Sequence, residues 1–113
     1  MQPRIITNKI MDWLFNGKVI ILYGSRQVGK TTLAKYILTQ RSEPSVYLNC
    51  ELGSVATILN SDNLEKIKSY LGSARLVVLD EAQKIQKIGL LLKQMIDTYP
   101  QYQIIATGSS SFD

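Results

Sequence analysis

The sequence predicts an α/β domain of three layers, with a parallel sheet of about four strands between helices. Three observations carry this. Four short apolar runs, "KVIILYG" (18–24), "SVYLNC" (45–50), "LVVLDE" (76–81) and "YQIIATGSSS" (102–111), have strand length and are rich in Ile and Val. Helical patterns separate them, and strands alternating with helices call for crossover connections and parallel pairing. The runs end in glycine, carboxylates or hydroxyls, the residue types expected where ligands meet the carboxyl edge of an open sheet.

The elements follow in order. Ile6, Ile10, Trp13 and Leu14 share one helical face, so residues 1–17 read as a helical segment with Trp13 in the core. "KVIILYG" is expected to be a strand buried on both faces and stopped by Gly24. "TLAKYILTQ" sets Leu33, Ile37 and Leu38 on one face of the next helix. Pro44 introduces the second strand. "SDNLEKIKSYLG" opens with Ser/Asp capping residues and closes at Gly72, and "IGLLLKQMIDTYP" closes at Pro100. Tyr36, Tyr47, Tyr70, Tyr99 and Tyr102 read as core or rim aromatics.

Composition narrows the class. The chain has 113 residues, 45% hydrophobic and 19% charged, enough for one domain with a real core and too little for two. No apolar run approaches the roughly 18 residues that span a membrane, and the polar breaks in "MQPRIITNKIMDWLF" do not suit a signal peptide. Cys50 is the single cysteine and histidine is absent, which excludes a disulfide framework and a Cys/His zinc site. A reducing, cytoplasmic compartment is expected. The net charge is +4, with cations scattered from Arg4 and Lys9 to Lys87 and Lys93. That pattern suits a solvated surface, or a nucleotide or nucleic-acid partner, but no recognition helix or basic stripe supports nucleic acid directly.

Gly24-Ser25-Arg26-Gln27-Val28-Gly29-Lys30-Thr31 fits G-x-x-x-x-G-K-[ST], directly after a strand and opening a helix. Glycines let the backbone turn with positive φ and come close to a ligand. Successive N–H groups then cradle phosphate oxygens at the positive end of the helix. Lys30 can reach the outer phosphates, and the Thr31 hydroxyl can face Mg²⁺. The candidate nucleotide-binding residues therefore run Gly24, Ser25, Arg26, Gln27, Val28, Gly29, Lys30, Thr31 and Thr32, in a nucleotide-binding core over 18–113. Arg26 is read as solvent-facing at the loop tip rather than catalytic. At average residue frequencies such a match arises by chance in a chain of this length roughly a few times per thousand.

Asp80 and Glu81 end the third strand. An Asp there can hold Mg²⁺ opposite the loop, and an adjacent Glu can orient or deprotonate water. The alternative is a solvated cap for the next helix. On the fourth strand, Thr107 or Ser109 could contact a terminal phosphate or the attacking water; the alternative is a plain Ser-rich loop. Asn49 and Glu51 end the second strand, where Glu51 could approach the water path or serve as a cap or surface residue.

Together, "GSRQVGKTT", "YLN", "VVLDEAQK" and "IIATGSSS" resemble a family of bacterial and archaeal P-loop ATPases related to the AAA+ proteins. The resemblance covers essentially the whole chain. It implies a RecA-like P-loop NTPase fold, ATP and Mg²⁺ as ligands, Lys30 and Thr31 on phosphate and metal, Asp80 on metal, Glu81 as base, and Thr107 or Ser109 as sensor. Gln83 and Lys84 match the family's "QK" without an assigned role. The family's strand order, 5-1-4-3-2, continues past the point where this chain stops. Residues 1–113 are thus expected to be a fragment truncated before the fifth strand, with 18–23 as an edge. That edge is expected to be covered by a second copy, a partner chain or a rearranged terminus.

The expected activity is Mg²⁺-dependent hydrolysis of the β–γ phosphoanhydride bond of ATP. A nucleotide-binding module with little turnover is the alternative, because no arginine is placed as a finger on the γ-phosphate. A small-molecule kinase fits less well, for nothing after Gly108 builds an acceptor lid.

Overall fold

Two strands, β3 (Leu76–Asp80) and β4 (Gln103–Gly108), are buried at every position, which requires cover on both faces of the sheet. The structure is a computed structural model that describes residues 3–24 and 29–109. β1 (Ile20–Tyr23) and β2 (Ser45–Asn49) flank the central pair, all strands run parallel, and the order is β1-β4-β3-β2. For these four strands this is the order implied by the family resemblance.

The alternation along β3 divides the core in two. Leu76 and Val78 join Ile105 of β4, Ile20, Ile10 of α1 (Pro3–Trp13) and Leu14 just after it, together with Ala34 and Ile37 of α2 (Lys30–Gln40). Val77 and Leu79 face the other way. They pack with Ile104 and Ala106 against α3 (Gly53–Leu59), α4 (Leu64–Leu71) and α5 (Ile88–Thr98). The result is the expected three layers. No helix among the described residues is long and apolar enough to cross a membrane.

Local signals explain most boundaries. Asn63 caps α4 by accepting the Lys66 N–H at 3.0 Å, and Gly72 ends that helix at φ 61°. The cap is Asn63 itself rather than the Ser and Asp before it. α3 is an element that periodicity did not show.

Two expectations are corrected. β1 is not buried on both faces: Ile21 and Tyr23 are 43% and 63% exposed, because β1 is an outer strand and the α3–α5 layer does not extend over it. Trp13 is not core; it is 53% exposed at the end of α1, where Ile10 and Leu14 take the buried face. It lines an open hollow of about 540 Å³ with Asn16, Lys18 and Val19 beside β1.

Gln103 joins α1 to the sheet. Its side chain is buried, accepts the Phe15 N–H at 2.6 Å and donates to the Lys18 carbonyl at 2.9 Å. One amide thereby satisfies both ends of the α1–β1 connection, whose turn carries Phe15 at φ 59°.

Candidate functional site

Three parallel strands and one helix converge at the carboxyl edge. β1 delivers Gly24, whose N–H donates to the Gly108 carbonyl at the end of β4 at 3.2 Å. The chain re-enters at Gly29, which is left-handed at φ 75° and caps α2 with no side-chain hydrogen bond. A Cβ at Gly29 would meet nothing within 4 Å, so glycine is needed there for its backbone conformation alone. Lys30 opens α2, is buried, and donates from Nζ to the Gly24 carbonyl at 3.0 Å. The loop's two described ends are thus tied by the lysine expected to reach phosphate. Ser25, Arg26, Gln27 and Val28 lie outside the described residues; Thr32 is exposed on α2.

Asp80 is the hub. Thr31 Oγ1 stands 3.1 Å from its Oδ1 and 2.9 Å from its Oδ2. Thr107 Oγ1 donates to Oδ1, and Tyr47 Oη donates to Oδ2. Burial alone would push the Asp80 carboxyl up; the hydroxyls of Thr107, Tyr47 and Thr31, with the Glu81 N–H, overcome it and hold it below the ordinary aspartate value. Strand alternation makes this arrangement possible. Tyr47, Asp80 and Thr107 lie on adjacent strands, all on the face that α2 covers.

Glu81 follows in a left-handed conformation, φ 56° and ψ 48°, and is 6% exposed. Its Oε1 accepts from Ser109 Oγ at 2.9 Å and from Gln83 Nε2 at 2.9 Å. Its N–H donates to Thr107 Oγ1 at 3.1 Å. Thr107 is therefore completely buried with its hydroxyl shared between Asp80 and Glu81, whereas the partly buried Ser109 lies against the Glu81 carboxylate. The structure thus brings together Lys30, Thr31, Asp80, Glu81, Thr107 and Ser109.

Asn49 and Glu51 close β2 beside this hub. Asn49 Oδ1 accepts the Glu51 N–H at 3.0 Å, a local turn at the end of β2, and Glu51 is exposed. Cys50 is buried in the core on the α3–α5 side; burial first, then the Asp80 and Glu81 carboxylates, push its thiol up to about 12.

Two contributors escaped the sequence reading. Tyr47 read as a core or rim aromatic, and Gln83 carried no role. The signal for Tyr47 is the β2–β3 register, which pairs Asn49 with Asp80 and so sets Tyr47 diagonally below the carboxylate. Burial, then the bond to Asp80, raise the Tyr47 phenol above its ordinary value, keeping it a donor.

Among the described residues no group of three Cys, Asp or Glu side chains could enclose a metal. The Thr31 hydroxyl and Asp80 carboxylate do offer adjoining oxygens at the mouth of the loop. That donor set suits Mg²⁺, which takes one or two protein oxygens and keeps water or phosphate oxygens for the rest.

A family model described as an AAA domain matches residues 16–113. A search of curated proteins finds no match. Solved structures share the fold at low identity. The Walker-type ATPase of Pyrococcus abyssi is 23% identical, with a TM-score of 0.62, over 91% of this chain and 43% of that one. A DNA replication initiation factor is 20% identical at a TM-score of 0.57, over 93% of this chain and 36% of its own. The P-loop NTPase domain of an E. coli sigma-54 transport activator is 17% identical at a TM-score of 0.52, over 97% and 86%. The chain spans less than half the length of the first two.

Proposed function

The chain belongs to the AAA domain family, and from that premise we propose that it binds ATP with Mg²⁺ and hydrolyses the β–γ phosphoanhydride bond, in the cytoplasm. The observation that carries the reading is the contact of Thr31 with Asp80 beside a lysine and a glycine-capped helix. Alone, each feature has a structural explanation. Together they gather the Thr31 hydroxyl, the Asp80 carboxylate and the Lys30 ammonium beside the start of α2, and that grouping supports the reading.

The chain's residues divide the work. Lys30 would exchange the Gly24 carbonyl for phosphate oxygens and draw the outer phosphates toward α2. Thr31 and Asp80 would hold Mg²⁺, which when bound supplies positive charge against the phosphate oxygens. Glu81 would accept a proton from the attacking water as its oxygen bonds to the γ-phosphorus and the bridging oxygen leaves with ADP. Ser109 and Gln83 fix the Glu81 carboxylate, and Thr107 fixes the backbone between the two acids.

A second reading has its own support. Glu81 is nearly enclosed and its Oε1 already accepts two side-chain donors, an arrangement that suits a nucleotide-binding module with little turnover.

Binding comes first under either reading. Displacement of a fluorescent ATP analogue is expected to rank ATP and ADP well above AMP, since the phosphate chain is what the loop grips. Lys30→Ala is expected to weaken ATP at least about tenfold, the scale of a lost charge-assisted bond. Equal affinity in the variant, or no binding by the natural sequence, contradicts the proposal.

A further inference from the structure

We propose that Tyr47 is a positioning residue for the metal-facing carboxylate: its hydroxyl fixes the rotation of Asp80 and so sets the Mg²⁺ concentration at which nucleotide binding tightens. The inference rests on the reading of this edge as a magnesium–nucleotide site.

The position explains why the residue is a tyrosine. Tyr47 pairs with Val78, two residues before Asp80, so it stands on the diagonal of the neighbouring strand. Diagonal partners lie about 7–8 Å apart, within reach of an aromatic side chain and beyond a serine or threonine. The ring packs in the layer under α2, partly buried beside the aliphatic core. Phenylalanine would serve that packing equally well. What tyrosine adds is the oxygen that donates to Asp80 Oδ2.

Helix α2 holds the same pair from above. Thr31 and Lys35 stand one turn apart on it. Thr31 Oγ1 lies against both Asp80 oxygens, and Lys35 Nζ sits 4.7 Å from the centre of the Tyr47 ring. A cation over a ring face favours one ring position. The phenol is thus clamped between a carboxylate on β3 and a cation on the helix that carries the phosphate loop.

The bonds to Asp80 then divide by function. Thr31 is the partner that would turn to the metal. Thr107 on Oδ1 and Tyr47 on Oδ2 remain, one from each neighbouring strand, and two holds on the two oxygens fix the plane of the carboxylate. Partners of this kind, which orient a ligand without touching the metal, typically govern metal affinity by about 10–100-fold.

The test uses the whole chain and a fluorescent ATP analogue, titrated first in EDTA and then with Mg²⁺. In the natural sequence Mg²⁺ is expected to tighten binding. In Tyr47→Phe, affinity in EDTA is expected to stay within about twofold, while the Mg²⁺ midpoint rises at least about tenfold. Lys35→Met, which keeps the hydroxyl and loosens the ring, is expected to raise the midpoint about two- to fivefold, the scale of an exposed cation–π contact. An unchanged midpoint in Tyr47→Phe overturns the proposal and leaves the nucleotide reading standing. Equal loss of binding in EDTA assigns the tyrosine to the fold and also overturns it. If Tyr47→Phe does not fold, an unchanged midpoint in Lys35→Met does the same. Binding by the natural sequence that ignores Mg²⁺ removes the underlying reading as well.

Discussion

Thr107 shows how one hydroxyl joins two acids. It is wholly buried, donates to Asp80 Oδ1 and accepts the Glu81 N–H at 3.1 Å. Thr107→Val keeps the shape and removes both bonds, taking one donor from the buried Asp80 carboxylate and one acceptor from the Glu81 N–H. The expected cost is about 1–3 kcal/mol of unfolding free energy, read from the urea midpoint at constant slope. A variant as stable as the natural sequence would show that the hydroxyl is dispensable to the fold. At this scale the sequence was informative where a motif fixes spacing along the chain: Gly29, Lys30, Thr31, Asp80 and Glu81 were all nameable in advance. Tyr47 and Gln83 were not, because their partners are reached across strands or around a left-handed turn. Spacing along one segment says nothing of the register between two.

At the scale of elements, burial decided what periodicity could not. "LVVLD" and "QIIATG" are apolar runs buried on both faces, and "IILY" is an equally apolar run buried on one. The difference lies in strand order, since β1 ends the sheet while β3 and β4 occupy its middle. Trp13 shares the α1 sequence pattern with Ile10 and Leu14, yet its ring lies over the margin of the sheet instead of its centre. α3 is seven residues long, begins at Gly53 and has no side-chain cap, so it left no signal. Gln103 belongs to this scale because it links elements: it binds Phe15 and Lys18 on either side of the α1–β1 turn. Gln103→Leu is expected to fill the space but strand that N–H and carbonyl, costing about 2 kcal/mol or more. Thermal melting checks it; an unchanged midpoint would mean the turn finds other partners.

At the scale of the molecule, the two core layers bury β3 and β4 completely and cover the outer strands β1 and β2 only in part. The three-layer class followed from alternation of strand and helix, which is a property of the chain's order. Which strand stands at the margin follows from how the chain crosses the sheet, and there the family resemblance supplied the order that composition could not. The site lies where β1, β3 and β4 end together, so that the phosphate loop, the acidic pair and the hydroxyls come from segments far apart in sequence. Convergence of these groups is the basis for assigning chemistry to the edge, since each is individually common.

Phosphate release from MgATP, with Glu81→Gln measured alongside, tests the hydrolytic claim most directly. Turnover by the natural sequence is expected, with a fall of at least about 10²-fold in the variant and ATP binding retained, as when a general base is lost. No release by the natural sequence despite binding, or release that survives Glu81→Gln unchanged, would contradict it.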